Sequence, residues 1–317
     1  MDTNVYRKKL FKLQGEVTLA PHYKNYTDVV LPERFALYKE KIENFKVSND
    51  DIWIASFPKS GTTWTQEMVW LLANNFDYDG AKQLLDARYG FIEMLGILLP
   101  NNEEIVALLP DPMDVLENTI GKRFVKTHLP WELLPLQIRD GSKKPKIIYV
   151  MRDVKDVLVS FYHHNALFKV DNLILEEYFN YFITDNHMYS PYWKNIFSFW
   201  SRRHLPNILF LKYEDMIQDL PAAIQKTASF LGTVVPDEEM KTLVRHLSFA
   251  EMKKNTAVNM APVVQMINKD VSDKTNFIRK GKSGGYKDEL SEEMVKLLDV
   301  WSEMNIADSD FQLNDTK

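Results

Sequence analysis

The length, composition and charge of this sequence exclude several classes of protein. Its 317 residues, 45% of them apolar, suffice to bury the core of one large α/β domain. The formal net charge of -5 argues against a protein that coats nucleic acid, which would need a basic excess. The absence of cysteine excludes disulfides, thiolate metal sites and a cysteine nucleophile. Because no apolar run has the length of a membrane span and the first residues lack a secretory apolar core, we expect no membrane insertion and a cytoplasmic location.

The first quarter of the chain predicts a leading segment, a strand and a helix, in that order. Residues 1–50 are charged and interrupted by prolines, although the stretch 33–45 spaces its apolar residues like one face of a helix. The apolar run 51–57 is typical of a buried parallel strand. From Trp64 onward, apolar residues recur at helical spacing.

The rest of the chain predicts strands that alternate with helices. Residues 74–120 are irregular, and the β-rich runs 123–130, 146–152 and 207–215 follow, the last two leading into helical patterns. This alternation predicts a single α/β domain over 1–317, with a parallel, doubly wound sheet flanked by helices. Such sheets bind ligands where their strands end. The unusual residues at those ends are Lys59, His128, Arg152 and Tyr213.

The segment "SFPKSGTTW" has features of a phosphate-binding loop. Gly61 permits close backbone approach, and Ser60, Thr62 and Thr63 open a helix whose free N–H groups and positive dipole end favour an oxyanion. Lys59 adds a full positive charge. The usual triphosphate signature, G-x-x-x-x-G-K-[ST], is absent. Taken alone, the segment is equally well a strand–turn–helix corner with an incidental lysine.

The segment "KTHLP" places Lys126 and His128 two residues apart, hence on the same side of a strand. A histidine can remove a proton from a hydroxyl near neutral pH, and a lysine can stabilise negative charge on a leaving group. The pair therefore predicts the catalytic part of a site. A histidine satisfied by hydrogen bonds at a strand end is the structural alternative.

Two basic segments predict contacts to a further phosphate group. Arg152 ends a β-rich run and offers bidentate binding, and Ser160 follows about two helical turns later with a hydroxyl. The loop 277–287 surrounds its glycines with basic residues, namely Arg279, Lys280, Lys282 and Lys287. Taken singly, each cluster is better explained as a solvated surface.

Together these segments resemble one family. From Ile52 to Lys287, in order and spacing, the chain resembles the cytosolic sulfotransferases, which move a sulfuryl group from 3′-phosphoadenosine 5′-phosphosulfate (PAPS) to a hydroxyl or amine. The segments "YED" at 213–215 and "SFAEMKKN" at 248–255 belong to the resemblance. It implies in-line transfer to a small, largely apolar acceptor. No metal is implied, because positioning and charge stabilisation by Lys, His and N–H groups can serve such a transfer.

The resemblance also implies roles for single residues. His128 would be the base, Lys59 would contact the bridging and phosphate oxygens, and Lys126 would help to stabilise the transition state. The residues matching the 5′-phosphate loop and the adenine pocket are Ser60, Gly61, Thr62, Thr63, Trp64, Tyr213, Ser248 and Phe249. Those matching the 3′-phosphate site are Arg152, Ser160, Arg279, Lys280 and Gly281.

The acceptor side is implied less specifically. Residues 74–120 hold an apolar patch where the family's acceptor pocket receives loop residues, while the loop 277–287 would clamp the nucleotide. The candidates for acceptor contacts are Phe57, Phe91, Met94 and His164. They predict an apolar acceptor and do not separate phenols, sterols and retinoids.

The chain departs from the family's pattern at three places. Leu247 stands where the family usually has threonine, so a hydroxyl contact to the nucleotide is lost. The pair Gly285-Tyr286 stands where the family usually has Asp-Trp. The family's dimer motif would fall on Lys287, Ser291, Glu292 and Lys296. Of these four residues, Lys287 alone fits the motif. The family-type homodimer is therefore not predicted.

Three alternatives stay open on the sequence alone. Sulfuryl transfer could serve an elimination, as in relatives that sulfonate an allylic alcohol such as a retinoid and then lose sulfate. The chain could be a non-catalytic module that binds a bisphosphonucleotide, although such a module has no use for a base at His128. A P-loop kinase is the least compatible, because its signature is missing.

Overall fold

A five-stranded parallel sheet carries the predicted site. The computed structural model of the protein describes residues 3–98, 109–268 and 277–312. Its strands are β1 (Tyr23–Tyr26), β2 (Val29–Pro32), β3 (Ile52–Ala55), β4 (Gly90–Phe91), β5 (Phe124–Thr127), β6 (Lys146–Met151) and β7 (Ile208–Lys212). Strands β1 and β2 form an antiparallel hairpin, and the other five pair in parallel in the order β4-β5-β3-β6-β7. The predicted parallel, doubly wound α/β fold is confirmed.

Helices cover both faces of this sheet. The α-helices are α1 (Thr3–Glu16), α2 (Ala36–Glu43), α3 (Thr62–Ala73), α4 (Leu85–Arg88), α5 (Met94–Ile97), α6 (Pro112–Glu117), α7 (Leu136–Arg139), α8 (Val154–Leu167), α9 (Leu175–Ile183), α10 (Tyr192–Trp200), α11 (Tyr213–Gln218), α12 (Leu220–Leu231), α13 (Asp237–His246), α14 (Phe249–Lys254), α15 (Ala261–Ile267) and α16 (Glu292–Ile306). Short 3-10 helices span Glu33–Phe35, Gly80–Lys82, Trp131–Leu133 and Gly285–Asp288. Because strand side chains alternate, Trp53 and Ala55 pack into one core layer and Ile54 into the other. In the described residues, no helix is long and apolar enough to span a membrane.

The register of the sheet brings three strand ends to one edge. Ala55 at the end of β3 pairs with Thr127 of β5 and with Tyr149 of β6. Strands β4 and β5 lie on one side of β3, and β6 and β7 lie on the other. The end of β3 is therefore the point where the strand order reverses, which is where such sheets bind ligands.

The leading segment 1–50 has more structure than its sequence predicts. Helix α1 packs against α16, with Leu10 buried and an ion pair between Lys9 and Glu293. The β1–β2 hairpin is hydrogen-bonded to the segment around Tyr189, whose N–H donates to Val30 O at 2.7 Å. Helix α1 has 14 residues but buries Leu10 alone among them, and the partners of these elements are distant in sequence, so local periodicity does not reveal them.

The region 74–120 is irregular, as predicted. Where it is described, it contains only the short elements α4, β4, α5 and α6 and one 3-10 turn. Its residues 99–108 lie outside the described part of the chain. The region runs along the β4 edge of the sheet and therefore beside the end of β5.

Candidate active site

The loop between β3 and α3 is shaped to bind an anion. Lys59 and Gly61 have φ angles of 69° and 105°, and this turn leads the backbone into α3 at Thr62. A Cβ atom on Gly61 would lie 2.7 Å from Tyr213 Cδ2, so the turn requires glycine. The first N–H groups of α3 have no intrahelical partners and lie at the positive end of the helix dipole. Together with the lysine they form a site for one oxyanion.

His128 follows β5 directly, and its ring has a defined tautomer. Nδ1 is 2.9 Å from Ser56 O and 3.2 Å from Ser56 Oγ, and that hydroxyl is 2.7 Å from Thr62 Oγ1. Because a carbonyl oxygen can only accept, Nδ1 carries the proton and Nε2 keeps its lone pair. Burial, followed by the charge of Lys126, holds the pKa of His128 well below its usual range. The imidazole is therefore neutral at neutral pH and able to accept a proton at Nε2.

Both lysines of the site rest on aromatic rings. Lys59 Nζ is 3.9 Å from the centroid of Phe277, and Lys126 Nζ is 4.0 Å from that of Phe91. The Phe91 ring also meets the His128 ring edge-on, with centroids 5.4 Å apart. Lys126 and His128 thus face one side, as their spacing predicts. Burial and the neighbouring cations lower the pKa of Lys59 to about 7, and burial lowers the pKa of Lys126.

Arg152 lies at the centre of the predicted 3′-phosphate side. Its guanidinium donates to Lys59 O at 3.3 Å and to Lys282 O at 3.1 Å, and it lies 4.4 Å from the centroid of the Tyr213 ring. Its Nε atom is buried without a partner among the described residues. Ser160, also predicted here, lies in the wall of the same cavity.

Two carboxylates hold the basic loop at this side. Arg279 Nη1 and Lys280 Nζ lie 2.6 and 2.9 Å from Glu289 Oε1, and Lys280 Nζ is 3.0 Å from Asp288 Oδ2. Burial alone would raise the pKa of Glu289, but hydrogen bonds from His163 and the two cations lower it to about 2. The cations predicted for a phosphate are therefore already positioned by carboxylates.

Aromatic side chains line the predicted adenine side. The Trp64 ring lies 5.6 Å from that of Tyr213, and its Nε1 donates to Leu247 O at 2.9 Å. Phe249, 38% exposed, lies over Gly281, where a Cβ atom would come within 1.9 Å of Phe249 Cδ2. Leu247 is fully buried, and its backbone carbonyl fixes the Trp64 ring in this wall.

One cavity of about 1180 Å³ joins the anion loop, the cations and an apolar lobe. All the residues predicted for the site line it except Ser60 and Phe57. Ser60 Oγ is buried in the loop without a partner among the described residues. The expectation that Phe57 contacts an acceptor is wrong, because its ring is 1% exposed and packs in the core against Phe161 and Tyr192.

The apolar lobe of the cavity lies on the predicted acceptor side. Phe91 and Met94 line it, as predicted, together with Phe168. His164 brings a polar group into this wall, and its ring lies 4.6 Å from that of Phe168. Burial, followed by the charge of Lys59, holds the pKa of His164 well below its usual range. The lobe can therefore receive an apolar molecule beside a neutral imidazole.

The chain is similar to known sulfotransferases along most of its length. A family model described as sulfotransferase domain matches residues 49–310. Luciferin sulfotransferase of Photinus pyralis is 40% identical over 282 residues, which cover 86% of this chain and 76% of that protein. Sulfotransferase 1 family member D1 of Mus musculus is 34% identical over 291 residues, which cover 91% and 90%. The crystal structure of retinol dehydratase in complex with androsterone and inactive cofactor PAP has a TM-score of 0.85 at 32% identity, covering 97% of this chain and 96% of that one.

The chain belongs to the sulfotransferase family. The predicted enzyme class, a PAPS-dependent sulfotransferase, is thereby confirmed. The roles of single residues in this sulfotransferase stay predictions, which the geometry above supports.

One carboxylate on the predicted nucleotide side of this sulfotransferase was not predicted from the sequence. Asp156, 3% exposed, accepts hydrogen bonds from Gly284 N at 2.7 Å and from Tyr286 N at 3.0 Å. It also lies 3.7 Å from Arg152, one helical turn earlier. It thus ties the basic loop to α8 at the place where the chain departs from the family pattern. Its spacing of four residues from Arg152 was the available signal.

Two further residues, not predicted from the sequence, hold the predicted base His128. Ser56 binds the imidazole of His128 as described, and Glu93 Oε1 accepts from His128 N at 2.6 Å. A single acidic residue within the apolar patch was the signal for Glu93. No local signal marks Ser56, because its contact depends on the register of β3 and β5.

The residues of the sulfotransferase site fit PAPS. Ser60 Oγ and Arg152 Nε are buried polar atoms without partners in the described ranges, and each lies where a phosphate group is predicted. Buried unsatisfied polar groups cost free energy, which phosphate oxygens would recover. A Cβ atom at Gly61 or Gly281 would collide with Tyr213 or Phe249, so glycine at these positions lets the two rings pack against the site. Arg152 lines the cavity, which therefore has an unused donor at the predicted 3′-phosphate position, whereas Ser60 Oγ lies behind the cavity wall.

Proposed function

We propose that this sulfotransferase transfers a sulfuryl group to a hydroxyl or amine group of a small, largely apolar acceptor, with His128 as the base. The observation that carries the proposal is the tautomer of His128, whose Nδ1–H is bound to Ser56 O at 2.9 Å within the cavity wall. A neutral imidazole with a free Nε2 lone pair is what proton removal from a hydroxyl needs. A non-catalytic nucleotide-binding module would have no use for it.

We assign the chemical work to three side chains. Bound PAPS supplies the activated sulfuryl group. His128 Nε2 accepts the proton of the acceptor hydroxyl as its oxygen becomes the nucleophile. Lys59 stabilises the negative charge on the oxygen that leaves, and Lys126 that on the transferred group. The pKa of Lys59 is lowered to about 7 in the free protein, but an adjacent anion favours its charged form.

The nucleotide would be held at three places. The 5′-phosphate would lie at the start of α3, with Ser60, Gly61, Thr62 and Thr63 around it. The 3′-phosphate would lie between Arg152, Ser160, Arg279, Lys280 and Gly281. Adenine would lie among Trp64, Tyr213, Ser248 and Phe249. The free donors on Ser60 and Arg152 and the exposed face of Phe249 support this division.

The acceptor would occupy the apolar lobe beside His128. Phe91, Met94 and Phe168 provide apolar contact, and His164 provides a polar one. The retinol dehydratase structure contains androsterone, a molecule of that general kind. Steroid-like and retinoid-like alcohols are therefore the first acceptors to screen, with phenols next.

The test is the variant His128→Ala, assayed with labelled PAPS against a panel of acceptors. We expect turnover to fall by about 10²- to 10⁴-fold, because general base catalysis is lost. PAP binding, measured by calorimetry, should be unchanged, since His128 is on the acceptor side of the cavity. His204→Ala, which alters an exposed histidine, is the control. Wild-type turnover in His128→Ala would show that another group is the base.

Mass analysis of the organic product tests the nature of the reaction. A sulfate ester of the acceptor is the expected product. An unsaturated product together with free sulfate would instead show elimination. Binding of PAP with no product from any acceptor would revive the non-catalytic alternative.

A cytoplasmic location and the lack of the family-type homodimer are also part of this proposal. The second rests on the altered motif at Lys287, Ser291, Glu292 and Lys296, where Ser291 instead caps α16 through Met294 N. Cell fractionation tests the location. Light scattering of the purified protein tests the oligomeric state, and a stable dimer would contradict the expectation.

A further inference from the structure

Glu93 is a buried carboxylate behind the base, and the transfer as proposed does not use it. It is 0% exposed. Its Oε1 accepts hydrogen bonds from His128 N at 2.6 Å and from Tyr189 OH at 3.3 Å, and its Oε2 accepts from Thr127 Oγ1 at 2.9 Å. A carboxylate is costly to bury unless its oxygens are satisfied. Here all the partners in the described residues belong to the base or to its surroundings.

We propose that Glu93 is a positioning residue of the transfer reaction, which fixes the backbone of His128 and the ring of Tyr189 as one unit. The proposal rests on the proposed role of His128 as the base. Glu93 itself touches neither the nucleotide side of the cavity nor the Nε2 atom.

The peptide and ring of His128 are held from three directions. Glu93 binds its N–H, Asn195 Nδ2 donates to its carbonyl oxygen at 2.9 Å, and Ser56 O binds its Nδ1 at 2.9 Å. These bonds are buried, so each is stronger than it would be in water. They fix the rotation of the ring and hence the direction of Nε2. Without Glu93, the N–H of His128 would be buried and unpaired.

Glu93 also joins the base to the acceptor wall. The His128 ring lies edge-on between Phe91 and Tyr189, with centroid distances of 5.4 and 5.6 Å. Phe91 is two residues before Glu93 on the same short edge of the sheet, and Tyr189 is bound to Glu93 through its hydroxyl. Phe91, Tyr189 and the base therefore keep one relative position, which near-attack alignment requires.

The charge state of Glu93 adds a pH dependence to this geometry. The titratable groups that face it are Lys126, His128 and Tyr189. Burial raises the pKa of Glu93 to about 7, although its hydrogen bonds and Lys126 oppose the rise. The pKa of His128 is well below its usual range, so His128 does not titrate there. Protonation of Glu93 below neutral pH would remove acceptor capacity from the network and lower kcat.

The experiment compares Glu93→Gln with Tyr189→Phe and with Glu43→Gln, a control carboxylate on α2 that pairs with Arg139. In Glu93→Gln we expect kcat to fall by about 10- to 100-fold, since a misplaced group costs up to that much. KM and PAP affinity should be unchanged. The wild-type kcat should fall as the pH drops below about 7, and this fall should be absent in Glu93→Gln. Tyr189→Phe, which loses one hydrogen bond, should show a smaller loss, and Glu43→Gln should behave as wild type.

A second measurement keeps this test separate from the proposed function. Nitrogen NMR of histidine-labelled protein, with the His128 signals assigned by their loss in His128→Asn, reports the tautomer and its titration without any acceptor. Glu93→Gln should shift these signals, and Glu43→Gln should not. Unchanged kcat, pH profile and His128 signals in folded Glu93→Gln would overturn the positioning role. Retained turnover in His128→Ala would instead overturn the base, whatever Glu93 does.

Discussion

The end of β5 and the basic loop after Phe277 are both held by carboxylates, but under opposite conditions. At β5, Glu93 is 0% exposed and binds backbone and hydroxyl groups. At the loop, the side chain of Asp288 is 54% exposed and binds lysines through ion pairs. Buried polar bonds act in a low dielectric and are strong, whereas exposed ion pairs are weak and screened by salt. We therefore expect the reactive end, namely the end of β5 with the loop that holds Lys59, to be rigid. We expect the predicted nucleotide clamp, namely residues 277–287 with Asp288, to be adjustable.

Asp156 stands between these two extremes. It is buried like Glu93 and also accepts from backbone N–H groups, but those groups, on Gly284 and Tyr286, belong to the basic loop. The loop thus has one buried anchor on α8, half-buried ion pairs with Glu289 and exposed ion pairs with Asp288. From this comparison we expect mutational effects to decrease from the reactive end, through the anchor, to the ion pairs.

After His128→Ala, the largest effect should come from Lys59→Met at the reactive end. Lys59 is the cation proposed to meet the leaving oxygen, and its loss should lower kcat by about 10²- to 10³-fold, as for other groups that stabilise developing charge. Steady-state kinetics measures this. Lys282→Met is the matched control, because Lys282 is exposed and paired with Asp288. Similar losses in the two variants would erase the distinction between the two regions.

The same variant should also change how PAP affinity depends on pH. The pKa of Lys59 is lowered to about 7 in the free protein, and a bound phosphate would raise it. Binding therefore takes up a proton, and PAP affinity should fall as pH rises above 7. Calorimetry in two buffers of different ionisation enthalpy measures the number of protons taken up on binding. This number should be smaller in Lys59→Met than in the wild type. An affinity that rises with pH above 7 would contradict the assignment.

A medium effect should follow from Asp156→Asn at the anchor. The amide can accept only with its oxygen, so it places an NH2 group against one of the two backbone donors, Gly284 N or Tyr286 N. Loss of a hydrogen bond to a charged group costs about 1.5 to 3 kcal/mol. We expect PAP to bind about tenfold or more weakly, measured by calorimetry, with little change in the His128 tautomer.

The control for this anchor variant is Asp153→Asn. Asp153 caps the same helix by accepting from Lys155 N, and asparagine caps a helix about as well as aspartate. PAP affinity should therefore stay close to that of wild type. Equal losses in the two variants would mean that α8, and not the anchor, was disturbed.

The sequence predicts the reactive end better than it predicts the clamp, and the reason is physical. Lys59 and His128 follow strands, and Lys126 lies within one. The apolar runs of these strands are visible locally, and a parallel sheet brings strand ends to one edge. The anion loop must be contiguous to use the start of α3, so its residues also stand together in sequence.

The remaining contacts join segments that are far apart in sequence. No local pattern predicts that these segments meet. Glu93 meets His128 across 35 residues, and Asp156 meets Gly284 across 128. Phe57 shows the converse error, because it was expected to contact the acceptor while its side chain packs in the core. Side-chain direction just after a strand depends on the turn, which here includes a positive φ at Lys59.

The smallest effect should come from Asp288→Asn in the exposed part of the clamp. Its carboxylate pairs with Lys280 and Lys282, each at 3.0 Å, and its hydrogen bonds to both lysines lower its pKa. Exposed pairs of this kind contribute little and less still at high salt. We therefore expect a small change in PAP affinity at low ionic strength, which fades between about 0.05 and 0.5 M salt. A large effect that persists in salt would show that the clamp is as rigid as the end of β5, and the contrast between the two regions would fail.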